Sequence, residues 1–138
     1  MITPLSKDTN MLTTLSRLST IALVAITLGT VHLSKPVLAD GKPLPAGTYQ
    51  LRLTDEGPAP AVGQSPDLEK WVEFLQGGKV VGRELASLIP AAEIAEHVKG
   101  PMPKANSARV DQLKGGEYVR VWVNKDKMNY LINLMAGR

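Results

Sequence analysis

The chain of 138 residues contains 16 basic and 13 acidic side chains, for a formal net charge of +3, and it has no cysteine. The absence of cysteine excludes a disulfide framework and also the lipid attachment that bacterial lipoproteins use. Residues 1–39 contain three of the basic side chains and one of the acidic ones, which leaves a net charge of only +1 on the other 99 residues. Since no basic cluster lies on any predicted strand or helix, we predict that nucleic acid is not a partner.

The N-terminal residues have the three parts of a secretory signal peptide. A positively charged segment over residues 1–19 precedes Thr20–Leu33, a run of fourteen residues without a formal charge. This run is shorter than the roughly 20 apolar residues that cross a bilayer, and it matches the apolar centre of a signal. A proline three residues later ends the run, and the small residues up to Ala39 fit a cleavage site. We predict a signal peptide over residues 1–39, cleaved between Ala39 and Asp40.

An uncleaved leader is the alternative, with residues 18–33 acting as an N-terminal membrane anchor. A cleaved and an uncleaved leader would both direct export of the chain. We therefore predict a periplasmic or secreted bacterial protein that contacts the membrane only if the leader stays attached. Residues 40–138 are long enough for a single domain with one modest apolar core.

The domain begins with a turn-rich stretch over residues 40–47, which contains two prolines and two glycines. Residues 48–54 then alternate between apolar and polar side chains, which predicts a half-buried strand. Its apolar face holds Tyr49, Leu51 and Leu53. Residues 55–66 contain three prolines and two glycines and predict a loop.

A hairpin is predicted over residues 71–89. Residues 71–76 and 79–89 read as its two strands, and Gly77-Gly78 supplies the positive φ angles of a tight turn. Gly82 lies inside the second strand, where a glycine often marks a bulge or a kink.

The C-terminal part combines one helix with three further strands. Residues 90–98 predict a short helix, because Pro90 suits a first helical position and apolar side chains follow at helical spacing. Strands are predicted at residues 108–113, 117–124 and 130–135, with Gly-containing turns between them. The fold class is therefore mainly β: a small antiparallel β-sandwich or barrel of about six strands with one helix.

The phrase GKPLPAGTY resembles the opening of small exported bacterial envelope domains of the transthyretin-like and immunoglobulin-like kind. The matching residues are Gly41, Leu44, Gly47 and Tyr49, in a G-x-x-L-x-x-G-x-Y pattern. The resemblance implies a β-sandwich. It carries no catalytic or binding residue over to this chain.

Glu93, Glu96 and His97 on the predicted helix invite a metal or acid–base interpretation. Glu93 and His97 are four residues apart, so they would share a helix face. A catalytic zinc needs about three protein ligands, and residues 40–138 contain no second histidine and no cysteine. We therefore predict a solvated helix face, no metal and no cofactor, and keep a small metal-dependent hydrolase only as an alternative.

An aromatic row on the strand at 117–124 is the stronger candidate for a site. If the alternating valines of this strand face the core, then Tyr118, Arg120 and Trp122 point to the opposite face. Tyr130 on the next strand is expected across from this row. Such a face is typical of protein or glycan contact sites, but it would be core if the predicted helix covered it.

We predict a non-enzymatic binding module that contacts an envelope protein or glycan through Tyr118, Arg120, Trp122 and Tyr130. Replacing Trp122 with alanine should then remove binding and leave the fold intact, whereas a loss of cooperative unfolding would identify Trp122 as core. A structural envelope subunit, pairing through an open sheet edge, is a further alternative.

Overall fold

A computed structural model describes residues 26–59, 62–63 and 68–137. Within these ranges the chain is mainly β, with nine strands in one antiparallel sheet. The strands are β1 (Ile26–Leu33), β2 (Val37–Ala39), β3 (Lys42–Leu44), β4 (Gly47–Leu53), β5 (Glu69–Gln76), β6 (Lys79–Pro90), β7 (Ser107–Leu113), β8 (Tyr118–Lys125) and β9 (Met128–Ala136). A helix α1 (Ile94–His97) lies between β6 and β7, and a 3-10 turn (Lys114–Gly116) joins β7 to β8.

The prediction of a mainly β, antiparallel fold with one short helix is thus confirmed. The six predicted strands correspond to β4–β9, and the count of about six is too low because β1, β2 and β3 come before them. The stretch at 40–47, predicted as turn only, contains β3. Its Leu44 and the following Tyr49 are both buried.

The predicted hairpin is β5 with β6, and its turn residues Gly77 and Gly78 have φ angles of 60° and 80°. The register shifts between Phe74 and Leu75, so that one extra residue of β6 lies beside Gly82, where the irregularity was predicted. A Cβ on Gly82 would lie 3.3 Å from Leu44 Cδ1. The absence of a side chain therefore lets β3 pack closely against β6.

The start predicted for the helix over residues 90–98 is wrong, because the helix begins later in the chain. Pro90 is the last residue of β6 and is paired with Met128 of β9, and the backbone N–H of Ala91 donates to the carbonyl of Lys127. Because these groups belong to the sheet, the helix begins only at Ile94 and has four residues. No helix among the described residues is long and apolar enough to cross a membrane.

The sheet is continuous and its two ends come together. Following the hydrogen-bonded pairs gives the order β1-β4-β5-β6-β9, and from β9 the strands β8 and β7 continue along one edge. The short β2–β3 hairpin pairs with the C-terminal end of β9 on the edge that β6 also uses. β1 and β7 lie side by side without being paired.

The core fills the concave side of this sheet. Val119, Val121 and Val123 of β8 all face it, which confirms the predicted orientation of the valines. They pack in one cluster with side chains from most other strands, among them Leu33, Leu51, Val72, Phe74 and Ile132.

Residues 26–39, part of the predicted leader, form β1 and β2 of this sheet. β1 pairs with β4 along its whole length, and Val31 and Leu33 are buried in the core. Val37 and Ala39 of β2 are buried as well. Residues 1–25 lie outside the described part of the chain, so cleavage between Ala39 and Asp40 stays a prediction.

Candidate binding cleft on the outer face of the sheet

The outer face of β7, β8 and β9 is an ordered array of side chains. The registers place Arg109 beside Trp122, and Trp122 beside Leu131. One step further along the strands, Asp111 lies beside Arg120, which lies beside Asn133; the last row is Leu113, Tyr118 and Met135. We call the part around Trp122 and Leu131 the covered half, and the part formed by Leu113, Tyr118, Arg120, Asn133 and Met135 the open half.

The covered half lies beneath α1. Trp122 is fully buried, and it forms an apolar cluster with Ile94 of α1 and Leu131. The indole Nε1 of Trp122 donates a hydrogen bond of 2.7 Å to Oδ1 of Asn129, which is itself fully buried. This satisfies the one polar atom of a large aromatic side chain in an otherwise apolar place.

A second contact holds the chain after α1 against the same half. Asn124 Nδ2 donates a 2.8 Å hydrogen bond to the carbonyl of Pro103, and Met102 Sδ lies 3.4 Å from Asn129 Nδ2. The segment 91–106 therefore packs over the covered half and is joined to it by hydrogen bonds at two points.

An ion-pair network separates the two halves. Asp111 accepts from Arg109 Nε at 2.9 Å and from Arg120 Nη2 at 3.1 Å, and both guanidinium groups lie about 5 Å from the centre of the Trp122 ring, at 5.0 and 4.9 Å. Burial alone would raise the pKa of Asp111, but the hydrogen bonds and charges of the two arginines outweigh it and the pKa is lowered.

The network carries one positive charge more than its carboxylate neutralises. Arg120 is also its most buried member, with a side chain that is 16% exposed. Its Nε is buried and has no hydrogen-bond acceptor among the described residues. The part of this guanidinium that reaches solvent can take an additional acceptor, above all an anionic one.

A cleft of about 380 Å³ opens where the end of α1 meets the open half. It is lined by Ser87, Ile89, His97, Val98, Lys99, Leu113, Arg120, Leu131 and Asn133. Its ionisable side chains are all basic, and no carboxylate of the described residues lines it. The volume is at the lower end of the range for small-molecule sites.

A smaller hollow of about 260 Å³ adjoins the cleft along the open half. Leu113 and Asn133 border both depressions, and Tyr118 and Lys114 complete the second. Lys114 Nζ lies 5.3 Å from the centre of the Tyr118 ring, within the range of a cation–π contact. The open half thus presents a continuous concave surface with a basic character.

The structure brings together only two of the four predicted contact residues. Tyr118 and Arg120 lie on the open half, as expected from the alternation of β8. The expected exposure of Trp122 is wrong, because α1 covers it. Tyr130 is not on this face, because the register pairs it with Val123 and places it in the inner core. A role of these residues in partner binding stays a prediction.

Sequence reasoning missed most of the cleft. Ser87 and Asn133 come from strands that are remote in sequence, and Lys99 follows α1, so no local pattern connects them. Of the lining residues, the sequence patterns singled out only Arg120 and His97. Asp111 does not line the cleft but is paired with Arg120, and it left a detectable signal. It alternates with Arg109 on a predicted strand, which places the two side chains on one face and predicts an ion pair there.

The acidic residues near α1 do not form a metal site. Within the described residues, no group of three or more His, Cys, Asp or Glu side chains could hold a metal ion. Glu93 occupies the N-cap position of α1, outside the helix itself, and its side chain makes no capping hydrogen bond. Glu93, Glu96 and His97 are all exposed.

Comparisons with known proteins give no further information on the site. No family model matches the chain, no curated protein matches it, and no solved structure matches it.

Proposed function

We propose that this chain is an exported, non-enzymatic binding module that contacts an envelope protein or glycan through the open half of its sheet. The observation that supports this most directly is the cleft beside α1. A concave surface with basic side chains, a partly exposed aromatic ring and a half-buried guanidinium has the features of a recognition site.

For the fold we propose a barrel rather than the sandwich that the transthyretin-like resemblance implies. The support is the continuity of the sheet and the approach of β1 to β7, since a sandwich consists of two sheets that pack face to face. The β2–β3 hairpin would then fill the gap where β6 leaves β9.

Export rests on the three-part pattern of residues 1–39. Cleavage between Ala39 and Asp40 would remove β1 and β2, whereas cleavage before Ile26 would leave the described sheet whole. The intact mass of protein from the envelope fraction of an expressing bacterium decides between these sites. The mass of the full chain would instead mean that the leader is retained, but an anchor over residues 18–33 would have to include β1, whose Val31 and Leu33 are buried in the core.

The binding function is tested by changing the open half and leaving the fold intact. We expect the double variant Tyr118→Ala/Met135→Ser to lose binding to immobilised envelope proteins or glycans, because both side chains lie on that face. Val80→Ser is the matched control, since Val80 is an exposed apolar residue at the distant β5–β6 turn. Circular dichroism confirms that both proteins are folded, and equal binding by both variants would contradict the proposed surface.

A further inference from the structure

We propose that the cleft beside α1 binds a carboxylate-bearing sugar, one acidic residue of a glycan. This inference rests on the proposed binding function and specifies its ligand. It is carried by three properties of the cleft: the sign of its charge, the distribution of its polar groups, and its size.

The charge in the cleft favours an anion. Arg120 and Lys99 supply positive charge there, and no described carboxylate lines it. Asp111 is paired with Arg120 but is shared with Arg109, so one positive charge of the network remains uncompensated. The guanidinium of Arg120 is held in place by Asp111 and by the Trp122 ring, so little side-chain entropy is lost when an anion binds.

The other polar groups favour a ligand that also carries hydroxyl groups. Ser87 offers a hydroxyl and Asn133 an amide, each able to donate and to accept. Both are neighbours of Leu131: Ser87 lies across from it on β6, and Asn133 lies two residues further along β9 on the same face. An apolar surface with hydrogen-bonding groups beside it fits a sugar ring, whose hydroxyl groups project from the ring.

The volume of the cleft suits one acidic sugar residue. A volume of about 380 Å³ accepts a single ring with its substituents. The hollow beside Tyr118 is continuous with the cleft through Leu113 and Asn133, so a second sugar of the same chain would lie against the Tyr118 ring. A peptide that binds by adding a strand would instead need unpaired backbone groups along the cleft, and β8 and β9 use theirs in the sheet.

The test measures binding of hexagalacturonate to the full chain by titration calorimetry. We expect binding that weakens with added salt, because the ion pair forms at a partly exposed site. Maltohexaose, a neutral oligosaccharide of equal length, should not bind. Arg120→Leu should weaken binding by at least about tenfold, since it removes charge-assisted hydrogen bonds.

Because Arg120 also contacts Asp111 and Trp122, a second variant avoids the network. Lys99→Gln should weaken binding about two- to fivefold, the range of a single exposed ion pair. Lys104→Gln is its control: both lysines are exposed and lie between α1 and β7, but Lys104 does not line the cleft. Equal affinities of these two variants would overturn the assignment.

Other outcomes distinguish a failure of the acidic-sugar assignment from a failure of the proposed binding function. Binding of maltohexaose as strong as that of hexagalacturonate, or binding of hexaglutamate peptide in its place, overturns the acidic sugar and leaves the binding module standing. No binding of hexagalacturonate also overturns it. The proposed function itself fails only if the open-half variant and its control retain identical binding to envelope proteins and glycans.

Discussion

The covered and open halves of the outer face are built from the same strands with the same alternation, and they differ in what packs on them. In the covered half, segment 91–106 buries Trp122 completely. In the open half, none of the described segments packs over Met135 in the same way, and its side chain is 55% exposed. Whether an aromatic residue at an outward-facing strand position is buried or exposed therefore depends on whether a distant segment of the chain packs over it. The strand pattern itself is the same in both cases.

Truncation of the chain before Asp40 should destabilise the fold more than any single substitution, because it removes two strands of the sheet that carries both halves. A chain that begins at Asp40 lacks β1 and β2, with their buried Val31, Leu33, Val37 and Ala39, and exposes the edges of β4 and β7. We expect it not to fold cooperatively, because such losses exceed the marginal stability of a small domain. A cooperative thermal transition of the truncated chain would contradict this and would make the cleavage between Ala39 and Asp40 compatible with a folded product.

Trp122→Ala breaks the covered half alone. An exposed Trp122 would predict an intact fold for this variant. Because the side chain is fully buried, we expect a loss of about 3–5 kcal/mol in the free energy of unfolding. Denaturant unfolding measures it. Tyr118→Ala, four residues away on the open half, should cost far less, and equal losses for the two variants would show that the halves do not differ in packing.

Asn129→Ala should cost about 2 kcal/mol, because it leaves the buried indole N–H of Trp122 without its acceptor. Asn133→Ala is the matched control on the same strand and face: Asn133 is exposed, and its loss should stay within about 0.5 kcal/mol. The same unfolding experiment gives both values. A change at Asn133 as large as that at Asn129 would contradict the distinction between the halves.

The smallest expected effect concerns Asp111, at the border between the halves. Its pKa is lowered in the folded chain, so its charge stabilises the fold above the unfolded value of about 3.9 and this contribution is lost as the pH falls through the folded pKa. Asp111→Asn should therefore lower stability by about 1–2 kcal/mol at neutral pH.

Stability measured against pH is the readout for this prediction. Below about pH 4 the difference between Asp111→Asn and the parent chain should shrink, because the parent loses the same carboxylate charge by protonation. A difference that stays constant down to low pH would mean that the variant acts through packing rather than through the charge of Asp111.

Local patterns were sufficient for the elements whose signal lies within a few residues. The alternation of β8 places its valines in the core, and Gly77-Gly78 sets the β5–β6 turn, because side-chain direction and turn geometry depend on the immediate backbone. The open-half positions of Tyr118 and Arg120 follow from the same alternation.

Three features were decided only by tertiary structure. The register of β9 against β8 places Tyr130 in the inner core, and a shift of one residue would have reversed its face. Pro90 remains in β6 because β9 pairs with it, although its sequence context favours a helix. Finally, the burial of Trp122 and the shape of the cleft depend on segment 91–106 packing on strands that are distant in sequence. Such contacts form through the closure of long loops, which no short pattern encodes.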